Sequence, residues 1–412
     1  MKIKLNFKRR QAQAVIAPPK TIAGGFWQEL LQEPPLAWAQ LAHRKVRLSV
    51  ALAGIAFANI LIFTQLGFSA LLFDGMTRIH ERLIGDLFMV SRRAKYLGDE
   101  SFSKRQLYQA AAVEGIASAS PLYYSQVWRW VNPQTKETKD IGVIAFNPAQ
   151  PVLDLPEVHR QLETIKLPDV VLFDRLSQAT IGPIPQMLAQ GKQVKTELSR
   201  RQIQVGGLYT LGSSLFKSGH IITSDQNYLR IFGSNSLDKL HVAVLRLEAG
   251  SDLQTVKQRL IASLPPEVKV LDRQEFMQME KYYWEQDPAG VVFNFGTIMG
   301  FIVGVVVVYQ VLYSDVSDHL PEYATLKAMG YSDRALLQIV FQEALILAVL
   351  GFLPGCVASI GMYQLLAHLT RIPLAMRLDV AVNVLVLTML MCLMSAAIAS
   401  QKLRSADPAD IF

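Results

Sequence analysis

The chain predicts an α-helical membrane protein: four transmembrane helices in a 1+3 layout, with a large α+β domain outside the bilayer. Three observations carry this. Four apolar stretches are each long enough to cross, since a hydrocarbon core of about 30 Å needs about 20 helical residues. A polar insert of 217 residues, 74–290, separates the first stretch from the other three. The cationic excess sits at one end: residues 1–47 carry nine Lys or Arg and two Glu, a surplus equal to the +7 of the whole 412-residue chain.

Taken in order, residues 1–47 read as a cytoplasmic basic arm with an amphipathic helix. Ala17-Pro18-Pro19 and Gly24-Gly25 break regular structure. The segment 26–47, interrupted at Pro34-Pro35, carries Trp27 and Trp38, which suit the headgroup zone. Basic residues beside a span mark the cytoplasmic side. Attraction to anionic membrane lipids, about 1 kcal/mol per basic residue near the surface, accounts for the arm without nucleic acid.

The first span, 48–73, holds 26 residues without a charge. Forty-seven residues precede it, so it reads as a retained anchor rather than a cleaved signal. Both termini are then cytoplasmic, and 74–290 lies outside, which the family resemblance given below would make the periplasm of a bacterial inner membrane.

Within 74–290, alternation predicts strands at 86–91, 122–131, 240–247 and 268–271. Helical spacing marks 103–113 and 252–264, the latter through Leu253, Val256, Leu260 and Ile261. Each end of the domain is thus a βαβ unit. The two units fit one ferredoxin-like βαβ module, split by an inserted subdomain at about 139–233. That insert holds a strand at 140–146, a strand pair at 194–198 and 202–208, and a Gly/Ser-rich stretch at 206–214. A helix over 275–286 leads into the second span. The cysteines, Cys356 and Cys392, both lie in spans, so no disulfide framework holds the domain and its own core must.

The second span, 291–313, carries Gly296, Gly300 and Gly304 at steps of four, a flat strip for helix packing within the chain or across a homodimer. A cytoplasmic coupling loop occupies 314–336. The third span, 337–366, contains Glu343, whose carboxylate would cost about 2.5–3.5 kcal/mol at mid-bilayer. It is therefore expected at the membrane edge or against a neighbouring helix. A periplasmic loop at 367–379, a fourth span at 380–400 and a cytoplasmic tail at 401–412 complete the chain. Asn59, Gln65, Gln310, Gln364 and Asn383 are polar groups within the spans, read as interhelical hydrogen-bonding glue or as a polar path.

Reactive constellations are missing from the sequence. The histidines lack metal-ligand spacing, Gly212-Ser213-Ser214 is no nucleophile elbow, and no Gly-rich loop ends in Gly-Lys-Ser/Thr. No catalytic, cofactor-binding or metal residue is assigned. Any ATP and Mg must be bound by a partner ATPase.

The loop has more to say. Asp318 fits a helix cap, Pro321 the first turn, Gly330 the closure, and Ser332 the cap of the next helix. Leu320, Tyr323, Leu326 and Met329 fall at steps of three, giving an apolar stripe that a partner protein or the membrane surface must cover.

Glu322-x-Ala324-x-Leu326-Lys327-Ala328-Met329-Gly330, followed by Gln342-Glu343-Ala344, resembles the coupling-helix region of MacB/FtsX-type ABC transporter permeases. The tail Ala406-Asp407-Pro408-Ala409 is similar to that family's Asp-Pro end, and the wording around Asp318–Tyr331 is nearest the DevC-type branch of heterocyst exporters. Tyr323 and Ala324 depart from the family's usual Ile and Gly. The resemblance implies a homodimeric permease without catalysis of its own. ATPase coupling would fall on Leu320, Glu322, Tyr323, Leu326, Lys327, Met329 and Gly330. It also implies a DevA-like ABC ATPase, a DevB-like periplasmic adaptor and a TolC-like outer-membrane duct, with glycolipid or a similar envelope molecule as cargo. An FtsX-like relay controlling a periplasmic hydrolase and LolC/LolE-like lipoprotein extraction are the other functions open to this family.

Overall fold

The computed structural model describes residues 45–212, 218–233, 235–370 and 376–401. The expectations for the arm before Lys45, for Ser213 and Ser214, and for the tail beyond Gln401 lie outside the described residues.

Helix α1 runs unbroken over Lys45–Arg82. At 1.5 Å per residue its 38 residues span about 57 Å, well beyond the roughly 30 Å of a hydrocarbon core. The helix thus runs nine residues past the span end expected at residue 73. No breaker follows Phe73, and the polar turns 74–82 continue the helix into the domain because side chains there find partners.

The domain then lays down β1 (Leu87–Ser91), β2 (Phe102–Ser103), α2 (Lys104–Ala111), β3 (Ile116–Val131) and β4 (Thr138–Phe146). Ser103 caps α2 by accepting from the Arg105 N–H. Short helices α3 (Pro156–His159) and α4 (Leu162–Lys166) precede β5 (Val170–Asp174), and α5 (Ile184–Ala189) precedes the hairpin β6 (Val194–Leu198) and β7 (Arg201–Tyr209). The hairpin turns on Ser199 and Arg200, both at positive φ, which matches the twist of the flanking strands. After β8 (His220–Ser224) come α6 (Asp225–Phe232), β9 (Lys239–Leu240), β10 (Val242–Leu247), α7 (Leu253–Ser263), β11 (Val268–Asp272) and α8 (Arg273–Gln286).

Nine strands form one sheet in the order β11-β1-β10-β3-β4-β8-β5-β7-β6. The outer four, from the two ends of the domain, pair antiparallel throughout. The segment expected as an insert, 139–233, lies between β3 and β10 in the chain and adds to the sheet formed by the two ends. Its strands continue the same sheet from β4 onward. The 16-residue β3 joins the two halves, pairing β10 through Ile116–Leu122 and β4 through Leu122–Val131. The far half closes on itself where Trp130 meets Leu198 of β6.

Two cores flank this sheet. Leu87, Met89 and Ile221 face one, and Phe88, Val90 and Ile222 face the other. Strands covered on both faces read as apolar runs rather than alternations, so β5 and β8 carried little signal.

The chain returns to the bundle through α9 (Pro288–Asp318), followed by α10 (Leu320–Ala328), α11 (Asp333–Thr370) and α12 (Leu378–Ala399). With α1, the helices α9, α11 and α12 are long and apolar enough to cross a membrane. Helix α1 is the hub, and its Ala51, Ile55 and Ala58 share one core with Val308, Val340 and Cys392 of the other three.

Candidate functional site

Helix α10 sits at the end of the bundle opposite the sheet. It starts differently from expectation: Asp318 is the last residue of α9, and His319 closes α9 and opens α10 without a side-chain cap. The His319 Nδ1 lies 3.0 Å from the Asp315 carbonyl and 3.5 Å from its carboxylate, so the ring is spent on α9. Pro321 occupies the first turn as its fixed φ allows. Closure follows the expected residue. Gly330 adopts φ +96°, its N–H donates to the Lys327 carbonyl at 3.0 Å, and the Tyr331 N–H reaches Leu326 at 3.1 Å. Lys327 pairs with Asp333 at 3.2 Å across the turn to α11.

The apolar stripe lies elsewhere than supposed. Tyr323 is buried, and Leu320 and Leu326 pack against the bundle's own core with it. The stripe therefore fastens α10 to α9 and α11 through Tyr323, with Leu320 and Leu326 beside it. Outward facing are Glu322, Thr325, Met329 (64% exposed) and Tyr331 (55%). Of the four stripe residues Met329 is the most exposed, Leu320 and Leu326 being part-buried, and Tyr331 joins it. Nothing in the spacing signalled this, because which side of a short helix its neighbours cover is a tertiary matter.

The glycine strip of α9 packs within the chain. A Cβ on Gly296 would meet the Gln65 side chain, one on Gly300 would meet Ile62, and one on Gly304 would meet Met391 and Ala58. Gly351 and Gly355 of α11 press on Ile55 and Asn59 from another side. Of the polar span residues, Asn59 is buried and accepts from Thr388 Oγ1 at 2.6 Å. Gln310, Gln364 and Asn383 are exposed on three different helices and are not gathered into a path. Glu343 is buried inside the bundle, on the neighbour-facing alternative rather than the membrane edge.

The connection between bundle and sheet is the part the sequence did not announce. Helices α1 and α8 form a two-stranded stalk. Arg273, opening α8, donates from Nη1 to the carbonyls of His80 (2.8 Å) and Glu81 (3.3 Å), and from Nη2 to those of Leu83 (2.8 Å) and Gly85 (3.0 Å). A guanidinium thus caps the C-terminal end of α1, where the helix dipole favours a cation. One turn away His80 and Glu280, both fully buried, stand 3.5 Å apart. Glu280 also accepts from the Leu97 N–H at 2.6 Å and the Trp284 indole at 2.9 Å. The α8 start carries a reciprocal capping box between Asp272 and Glu275. Arg78 donates to the Leu211 carbonyl at 3.2 Å, and Asp174 accepts from the Leu211 and Gly212 N–H groups at 3.0 and 2.7 Å, so α1 also grips the far half of the sheet. Burial pushes the Asp174 carboxyl upward against those donors and Arg78. At the same level Arg377, before α12, bridges Asp74 at 2.5 Å and Asp379 at 2.7 Å. The membrane helices and the sheet are therefore joined by buried and multidentate contacts.

Among the described residues no group of His, Cys, Asp and Glu is arranged to hold a metal ion.

Four long apolar helices joined to a sheet domain are the class this arrangement defines, and the comparisons reach part of the chain. Residues 294–408 match the family described as FtsX-like permease C-terminal. The match begins within α9 and takes in α10, α11 and α12, so it marks what this part of the chain is similar to. Two solved structures are similar to the chain. The periplasmic region of MacB from Actinobacillus actinomycetemcomitans aligns at 12% identity and a TM-score of 0.33, covering 48% of this chain and 94% of that one. The extracellular domain of the noncanonic ABC-type transporter YknZ from Gram-positive bacteria aligns at 10% identity and a TM-score of 0.29, covering 45% and 99%. No curated protein matches the chain.

Proposed function

We propose that the chain is the permease subunit of an ABC-type exporter, in which a separate ATPase moves α10 and the bundle transmits that motion to the sheet domain. The observation that carries this is α10. It is a short helix fastened by Tyr323 to the three-helix permease block, with Glu322, Met329 and Tyr331 presented outward at the end remote from the sheet. Glu322 through Gly330 would form the docking rim, with Lys327 positioning the turn. ATP and Mg belong to the partner, and this chain supplies no reactive group.

In the same reading the four helices cross a bacterial inner membrane as 1+3. Both termini are cytoplasmic, and the sheet domain is periplasmic with a ferredoxin-like half. The chain acts as a homodimer of the DevC type. A DevB-like adaptor and a TolC-like duct complete a tripartite system, whose cargo is glycolipid or a related envelope molecule. The direct path from bundle to sheet through α1 and α8 supports mechanical transmission.

The test uses the full-length chain, affinity-purified from its own membranes, with the co-purifying ABC-type ATPase quantified. Met329→Asp combined with Tyr331→Asp should remove the ATPase and leave membrane integration unchanged. Undiminished ATPase recovery would overturn the docking assignment. Envelope lipid analysis of a depletion strain tests the cargo, and an unaltered glycolipid profile would overturn it.

A further inference from the structure

A second feature lies where α8 meets α9, outside the docking rim. Arg92 and Arg93 follow β1 directly, and they line a cleft with Lys95, Lys269, Tyr282 and Tyr283. Arg92, Arg93 and Lys95 are exposed and make no ion pair among the described residues. Lys269 is half-buried, donating to the Ala94 carbonyl at 2.8 Å. Burial lowers its ammonium pKa first, and repulsion from Arg92 adds to that against the pull of Asp99. Of the carboxylates nearby, Asp287 lines the same cleft and caps α9 by accepting from the Ala289 N–H at 3.1 Å, Asp99 accepts from the Lys95 N–H at 3.0 Å, and Glu100 and Glu267 line a neighbouring cleft with Arg92 and Arg93. The cleft lining thus carries four cations against the one carboxylate of Asp287, an excess that an anion bound there would relieve.

The position of the cleft says where that anion comes from. Its floor reaches Pro288, the first residue of the spanning helix α9. The next two turns expose Val291, Val292 and Phe295, more than half of each side chain being uncovered. Tyr96, Tyr283 and Trp284 stack at centroid distances of 4.5–6.0 Å beside it, the amphipathic ring chemistry of a membrane–water boundary. A soluble anion would have no use for the apolar strip below the cations.

We propose that this cleft binds an anionic lipid, its phosphate- or sulfate-type headgroup held among Arg92, Arg93, Lys95 and Lys269 and its acyl chain lying along the start of α9. A lipid bound there bridges the β1 loop and the stalk, so it bears on the α8–α9 joint. The inference does not depend on the ATPase assignment.

The test is native mass spectrometry of the full-length chain, released from nanodiscs of phosphatidylcholine doped with phosphatidylglycerol. The wild type should retain phosphatidylglycerol in preference to phosphatidylcholine. Arg92→Gln with Arg93→Gln should weaken that retention roughly 30-fold, two surface cations being removed. Arg230→Gln on α6 serves as the control and should retain lipid as the wild type does. All these side chains are exposed, and a matching melting temperature shows that the variants fold. A second arm titrates inorganic phosphate onto the detergent-purified protein. Saturable phosphate binding, lost in the double variant, without lipid retention would overturn the lipid assignment in favour of a soluble anion. Equal lipid retention by wild type and double variant would overturn the site.

Discussion

His241 shows how a single buried group sets a pH response. Its Nδ1 accepts from the Tyr124 N–H at 3.1 Å, and burial lowers its pKa from the ordinary 6.5 to about 4. The folded state therefore favours the neutral ring, whereas the unfolded chain takes up a proton as pH falls through 6.5. Stability is full above about 6.5, declines as pH falls toward 4, and loses no more to this residue below that. The loss is on the order of 3 kcal/mol. His241→Gln keeps an acceptor for Tyr124 and should flatten the melting temperature across that window. An unchanged slope in thermal melts would remove His241 as its source. Arg273 offers a second residue-scale prediction. Arg273→Met leaves four carbonyls at the end of α1 without their cation, and charged hydrogen bonds are worth about 1.5–3 kcal/mol each, not additively. A drop in melting temperature of several degrees is expected, and no drop would show the stalk to be held by packing alone. Glycines in the bundle divide by what surrounds them. On Gly355 a Cβ would lie 2.8 Å from the Asn59 Cβ and 3.2 Å from the Ala56 carbonyl, whereas on Gly361 it meets nothing within 4 Å. Gly355→Ala should cost about 1–3 kcal/mol by overpacking. Gly361→Ala should be neutral or stabilising by up to about 1 kcal/mol through helix propensity. Detergent-induced unfolding midpoints of the two separate these outcomes.

Among the elements, α1 and α10 matter most for the proposed transmission. Because α1 crosses the bundle and enters the domain without a break, its rigidity passes directly to Arg78 and His80. Inserting two glycines after Asp74 interrupts the helix between bundle and stalk. The expected result is normal ATPase recovery with export lost, and full export would show that α8 alone transmits motion. For α10, Leu326→Asp is a poor probe of docking, since Leu326 supports the bundle core and its loss unsettles α9 and α11. The element's existence, its proline and its closing glycine were legible in the sequence because capping is local chemistry. Which of its faces is free was not, because α9 and α11 decide it from outside the element. The same holds for the sheet. The end βαβ units were legible from alternation and helical spacing, whereas β5 and β8, buried on both faces, had no period to read.

At the scale of the whole molecule, α9 is the least covered of the four spans, exposing Ile298, Ile302 and Val306 along one side. With the Gly296–Gly304 strip already used against α1 and α12, this outward side is the seam expected if the proposed homodimer forms. Ile302→Cys in a Cys356→Ser background should cross-link two chains in native membranes, and Leu390→Cys on α12 should not. The reverse pattern would place the dimer on α12. Length, hydropathy and charge by themselves determined that the chain has four apolar helices, and turn chemistry that a short helix closed by Gly330 lies between the second and third of them. These are properties of segments, governed by transfer from water and by hydrogen bonds between near neighbours. The tertiary structure alone decided that the domain is one continuous sheet, that the glycine strip packs inward, that the α10 stripe is buried, and that Arg273 and the His80–Glu280 contact tie bundle to sheet. Each of these joins residues distant in the chain, and their pairing depends on which surfaces the folded helices and strands bring together.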